Sequence, residues 1–227
     1  MPGLPLAISG LKLAFGHDAV IDLPQMRIAP GTLTVLSGPS GSGKSTLLYL
    51  LSGLLRPASG EIDWAGTDIA ALAEGRRDRW RRDHAGFIFQ DFHLIQELSP
   101  LDNVIASAWF SGFSAAPLKA RARLRLDTLG VPHERRRTNL LSRGEQQRVA
   151  IARALIGNPS IIFADEPTAS LDAKSGEGVI GILRQLASEE GRTVIAATHD
   201  PALLALADTV VRLDHGRPMT IDSKAPA

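Results

Sequence analysis

The 227-residue chain contains no cysteine, which excludes disulfides, thiolate metal sites and cysteine nucleophiles and fits a reducing compartment. Aromatic residues make up only 5% of the chain, and the formal net charge at pH 7 is +1. A balance of charge this even gives no argument for nucleic acid as a partner. No apolar run approaches the roughly 18–20 residues that cross a bilayer, so any work at a membrane needs another chain to do the spanning. The opening residues, Met1 to Pro5, lack a basic flank and an apolar segment, and no signal peptide is expected. Internal repeats and low-complexity segments are missing too. Against these absences stands a hydrophobic fraction of 44%, ordinary for a globular protein, and enough length for one domain with a subdomain. Two basic runs, Arg76-Arg77 to Arg82 and Arg135-Arg136-Arg137, read as solvated faces.

The most specific feature is Gly38-Pro39-Ser40-Gly41-Ser42-Gly43-Lys44-Ser45, which fits the phosphate-binding pattern G-x-x-x-x-G-K-[ST]. A polyphosphate concentrates negative charge in a small volume. Glycines let the backbone turn tightly and aim its N–H groups inward. Lys44 supplies a point charge for the β- and γ-phosphates, and the Ser45 hydroxyl suits Mg²⁺. The flanks provide the context that the motif needs. Thr32 to Ser37 reads as a buried strand, and the run from Ser45 and Thr46 to Leu51 as a helix whose positive end faces the phosphates. A second feature is Ile161-Ile-Phe-Ala-Asp165-Glu166, an apolar strand ending in two carboxylates. Asp165 is placed to hold Mg²⁺, and Glu166 to orient or deprotonate a water beside a triphosphate.

The wider pattern is α/β. Short alternating runs up to about Ile28 suggest antiparallel strands, and Gly60–Gly66 a further hairpin strand. From about Asp91 to Leu141 the character turns helical. Leu118, Ala122, Leu126 and Leu129 form a stripe, and Gly130 and Pro132 end it. Strands then resume at Ser160–Ala164, Arg192–Thr198 and Thr209–Leu213, with a helix between the first two. Asp200-Pro201 starts another short helix. The alternation predicts a parallel sheet. Beyond Arg217 the sequence is polar and contains proline, and a loose tail is expected over 218–227.

A third motif, Leu141-Ser142-Arg143-Gly144-Glu145 running on to Leu155, contains a capping box, Ser142-x-x-Glu145. Together with the phosphate loop, Gln90, Asp165-Glu166 and His199, it closely resembles the nucleotide-binding subunit of ATP-binding cassette (ABC) transporters. The resemblance runs from Leu11 to about Gly216. It implies a P-loop NTPase (RecA-like) parallel-sheet core with an N-terminal antiparallel β subdomain and an inserted α-helical subdomain. The core would take 1–90 and 146–217, and the helical subdomain 91–145. It further implies ATP hydrolysis, with ATP on residues 38–46, adenine stacked on Phe15, and Mg²⁺ held by Ser45, Gln90 and Asp165. Glu166, His199, Gln90 and Lys44 would serve catalysis.

In such proteins two subunits pair head to tail, so Ser142 and Gly144 would meet the ATP held by the partner's loop, and the Thr168–Asp172 segment would cross the interface. A separate membrane permease would dock near the loop after Gln90, where Phe92, Leu94, Ile95 and Leu98 either line its groove or fill the subdomain core. The implied location is the cytoplasmic face of the cell membrane. The segments around Gly86–Gln90 and Ala164–Asp172 look most like the lipoprotein-release and macrolide-export type. The alternative is a regulatory ATPase resembling the cell-division member of this fold. The chain departs from the family's Leu-Ser-Gly-Gly-Gln at Arg143 and Glu145. If position 143 needs a glycine backbone angle, Arg143 carries strain.

Overall fold

The computed structural model describes residues 2–16, 18–109, 115–132 and 137–223. The first part of the chain forms β1 (Leu6–Phe15), β2 (Asp18–Ile28), β3 (Leu33–Ser37), α1 (Lys44–Leu51), β4 (Ser59–Trp64), β5 (Thr67–Asp68), α2 (Glu74–His84) and β6 (Ala85–Ile88). Two helices, α3 (Pro100–Trp109) and α4 (Ala115–Thr128), precede a 3-10 turn at Thr138–Leu140 and α5 (Arg143–Leu155). The chain continues through β7 (Ile161–Asp165), α6 (Ala173–Ser188), β8 (Thr193–Ala197), α7 (Pro201–Leu206), β9 (Thr209–Asp214) and β10 (Arg217–Ser223).

Two sheets result. One is antiparallel, in the order β2-β1-β4-β5; the other runs β10-β9-β3-β8-β7-β6. In the second, β6, β7, β8, β3 and β9 are parallel, and only β10 runs against its neighbour. β3, β7 and β8 are buried along their whole length, which is why they read as unbroken apolar runs rather than alternating ones. β1 alternates, but in two phases: Leu6 and Ile8, then Leu11 and Leu13, point into the core. The register against β4 shifts between Ser9 and Lys12, so one extra residue resets the inward face.

The core between the two sheets takes Leu47, Leu48, Leu50 and Leu51 of α1 with Trp64, Trp80 and Phe163. The opposite face of the larger sheet packs on α5, α6 and α7 through Ile151, Leu155, Val179, Leu183 and Leu203. A third cluster belongs to the helical insertion. Leu118, Ala122 and Leu126, the stripe read from sequence, are buried there with Phe92, Leu94 and Val149. The α4 stop works as expected: Gly130 takes φ +64°, and the Val131 N–H donates to the Leu126 carbonyl. α5 serves both clusters, Ile151 facing the sheet and Val149 the insertion. The boundary drawn at 145/146 therefore falls inside one continuous helix.

Two expectations need revision. The tail beyond Arg217 is not loose through 223: it is β10, paired antiparallel with β9 from Arg217↔Asp214 to Ser223↔Thr209. His215 (φ 45°) and Gly216 (φ 74°) make the tight left-handed turn. Its strand is largely exposed, so backbone pairing rather than apolar content holds it, and the polar sequence gave no sign of it. Residues 224–227 lie outside the described set. The basic run Arg76–Arg82 lies on α2, which buries only Trp80, so the run sits on the largely solvated helix face expected of it. Arg143 carries no strain. It begins α5 with an ordinary helical backbone, so glycine is not required there. Arg135 and Arg136 of the other basic run are outside the described residues.

Candidate functional site

Four neighbouring parallel strands end on one side of the sheet, and each is followed by residues singled out in the sequence. The phosphate loop follows β3, His199 follows β8, Glu166 follows β7 and Gln90 follows β6. Strand ends of this kind are where open parallel sheets take ligands. Gly38 to Thr46, Gln90, Glu166 and His199 line a single cleft of about 680 Å³, together with Val20 and Ala169. Phe15, Ser142 and Gly144 do not line it. Phe15 closes β1 at 59% exposure, so it is not a core residue.

Lys44 and Ser45, which line the cleft, are already partnered. Lys44 Nζ donates to the carbonyls of Gly38 and Pro39, 2.9 Å each. The Ser45 hydroxyl donates to Asp165 Oδ1 at 2.8 Å, and the phenol of Tyr49 donates to Asp165 Oδ2 at 2.8 Å. Burial first, and Asp165 second, push the Tyr49 phenol up to about 12, so it stays a donor at neutral pH. Asp165 itself is buried at the end of β7. Neither Tyr49 nor Thr198 was singled out in the sequence. The available signal was spacing: Ser45 and Tyr49 stand one helical turn apart on α1.

Glu166 takes φ +42°, a left-handed angle uncommon for a residue with a side chain. Its N–H donates to the Ala197 carbonyl. Its carboxylate accepts from the Thr198 hydroxyl at 3.1 Å and lies 3.2 Å from His199 Nδ1. Thr198 Oγ1 in turn accepts from the Asp200 N–H, and Asp200 accepts from the Thr168 hydroxyl at 2.8 Å. His199 is mostly exposed, facing open cleft.

Ser45, Asp165 and Gln90 offer a hydroxyl, a carboxylate and an amide, hard oxygen donors of the kind that suit Mg²⁺. Among the described residues no group of three or more His, Cys, Asp or Glu gathers to hold a metal alone.

The N-terminus of α5 forms the expected capping box: Ser142 Oγ accepts from the Glu145 N–H, and Glu145 Oε2 accepts from the Ser142 N–H at 2.8 Å. Gly144 abuts α6, since a Cβ there would lie 2.5 Å from Ser175 Oγ. Asp172 caps α6 by accepting from the Ser175 N–H and hydroxyl, and its carboxyl is held below its ordinary value first by that N–H and then by that hydroxyl. The Arg143 guanidinium sits 5.4 Å from the centre of the Phe92 ring. Phe92 and His93 both take positive φ, and Arg153 donates to both their carbonyls. Phe92 and Leu94 are buried in the insertion core, whereas Ile95 is half exposed.

Comparison with known proteins agrees with this geometry. The macrolide export ATP-binding/permease protein MacB of Chromobacterium violaceum is 44% identical over 232 residues, covering all of this chain but 36% of that protein. This chain thus spans about a third of the MacB relative. The lipoprotein-releasing system ATP-binding protein LolD of Shewanella sp. (strain MR-4) is 41% identical over 84% of this chain and 83% of its own length. A dimeric post-hydrolysis state of the ATP-binding cassette MJ0796, bound to ADP and Pi, matches with a TM-score of 0.87 at 32% identity, over 98% of this chain and 100% of that one. The fold is that of an ATP-binding cassette. The family model described as ABC transporter matches residues 22–169, a span that holds the phosphate loop, Gln90, Ser142 and the Asp165–Glu166 pair, and the chain belongs to the ABC transporter family.

Proposed function

We propose that this chain binds and hydrolyses ATP as the energy-supplying subunit of an ABC transporter whose membrane permease is a separate chain. The observation that carries the reading is Glu166, held by Thr198 and His199 at the mouth of the cleft that the phosphate loop lines. ATP lays its phosphates on the N–H groups of the loop, and Lys44 exchanges the Gly38 and Pro39 carbonyls for phosphate oxygens. Phe15, exposed at the end of β1, stacks on adenine. Ser45, Asp165 and Gln90 would hold Mg²⁺, which would offset charge on the phosphates. Glu166 aligns a water for in-line attack on the γ-phosphorus and takes up its proton as the bond to ADP breaks. His199 and Thr198 keep the carboxylate aimed.

Two subunits close head to tail on two ATP molecules, with Ser142 and Gly144 of one reaching the phosphates of the other. The permease docks where Ile95 and Leu140 are exposed, on segments tied together by the Thr138 N–H to the Leu98 carbonyl. Through that permease the chain sits at the cytoplasmic face of the membrane; among its own described residues no helix is long and apolar enough to cross one. Likeness to LolD and MacB points to lipoproteins, lipids or hydrophobic compounds as cargo.

The test is Mg²⁺-ATP hydrolysis against protein concentration for the wild type and Glu166→Gln. The rate per subunit rises with concentration. The variant keeps ATP, loses roughly 10²–10⁴-fold in turnover, and elutes as a nucleotide-bound dimer. A rate per subunit that stays flat, with a variant that remains monomeric in ATP, overturns the shared site.

A further inference from the structure

Asp165 is the buried carboxylate on which the metal site of the proposed function depends, and both of its oxygens are taken by one helix. Ser45 and Tyr49 lie four residues apart on α1, so both side chains project from the same face toward the end of β7. Ser45 holds Oδ1 and Tyr49 holds Oδ2, each at 2.8 Å. The two bonds differ in what ligand binding does to them. Ser45 belongs to the phosphate loop's motif and would have to give up its bond to Asp165 to hold the metal. Tyr49 does not line the cleft, and its ring packs on the core between the sheets. Its bond is therefore the one that persists.

We infer that Tyr49 is a positioning residue for the metal site: its hydroxyl fixes the plane of the Asp165 carboxylate and keeps Oδ1 turned toward the phosphates. This inference rests on the ATP–Mg²⁺ reading above. A carboxylate anchored at one oxygen presents the other at a fixed angle. Without the phenol, buried Oδ2 loses its donor and the carboxylate swings to find another. Partners of this outer kind typically change metal affinity by about 10–100-fold when removed.

The chain contains a single tyrosine, which makes the idea directly observable. Biosynthetic 3-fluorotyrosine labels position 49 alone, and Tyr49→Phe, with no tyrosine left, gives a protein without the resonance. The wild-type ¹⁹F signal shifts when Mg²⁺ is added to the ATP-bound protein and stays put when Mg²⁺ is added without ATP. Manganese binding, followed by electron paramagnetic resonance in the presence of ATP, weakens about tenfold in Tyr49→Phe, while ATP affinity measured in EDTA is retained. In steady-state assays the loss falls on the KM for metal more than on kcat. A Tyr49→Phe protein with wild-type manganese affinity overturns the inference, as does an equal loss of ATP affinity in EDTA, which marks a packing role only. A wild type that binds neither ATP nor its metal complex overturns the function proposed above instead.

Discussion

Glu166 and Asp172 show how single residues here trade local comfort for a fixed position. The positive φ of Glu166 typically costs about 1–3 kcal/mol. The cost is tolerated because its N–H continues the sheet to Ala197 and its side chain is pinned by Thr198. Asp172 is simpler, an exposed N-cap with its carboxyl depressed below 3.8 by Ser175. A depressed carboxylate adds stability above its unfolded pKa, and that contribution is lost as pH falls through the folded value. Asp172→Asn keeps a capping side chain but removes the charge. Thermal melts as a function of pH are expected to show the variant below the wild type at pH 7, with the gap closing below about pH 4. A gap that is constant with pH would show that the charge contributes nothing.

At the scale of elements, α5 ties its own N-terminal turn to the loop after Gln90. Its first turn carries Ser142 and Gly144, and its flank holds the loop after Gln90 through Arg143 on Phe92 and Arg153 on the Phe92 and His93 carbonyls. Arg143, the departure from the family's glycine, thus has a partner within its own chain. A double-mutant cycle of Arg143→Ala with Phe92→Leu should return a coupling of about 0.5–1 kcal/mol in denaturant melts, the range for a guanidinium that stays solvated as it lies over a ring. Additive losses would place the Arg143 charge elsewhere in its work.

Across the whole molecule, the phosphate loop is supported by chain 170 or so residues away. The β9–β10 turn reaches under it: the Gly216 N–H donates to the Ser42 carbonyl, and the Gly216 carbonyl accepts from the Asp22 N–H. One residue therefore ties the loop, the antiparallel sheet and the last hairpin together. A Cβ at Gly216 would stand 1.9 Å from the Val20 carbonyl oxygen, and its φ is +74°. Gly216→Ala is expected to lose about 1–3 kcal/mol of stability and to weaken ATP binding, measured by calorimetry at a temperature where the variant stays folded. Wild-type affinity in a folded variant would show that the loop does not need this support.

The sequence by itself determined the phosphate loop, the strand ending in Asp165 and Glu166, the α4 stripe and the capping box. Each is written in local chemistry: glycines where backbone must turn, apolar spacing matched to one element, a hydroxyl three residues before a glutamate. Only the tertiary structure decided that Phe92 and Leu94 belong to the insertion core, that Tyr49 takes the second oxygen of Asp165 and that Gly216 braces the loop. The physical reason is range. Tyr49 and Asp165 are 116 positions apart, and nothing near either residue specifies the other. β10 escaped notice for a related reason: an edge strand held by backbone pairing leaves little trace in hydrophobicity. Local pattern sets which elements form, while contacts between distant segments set which side chain faces which.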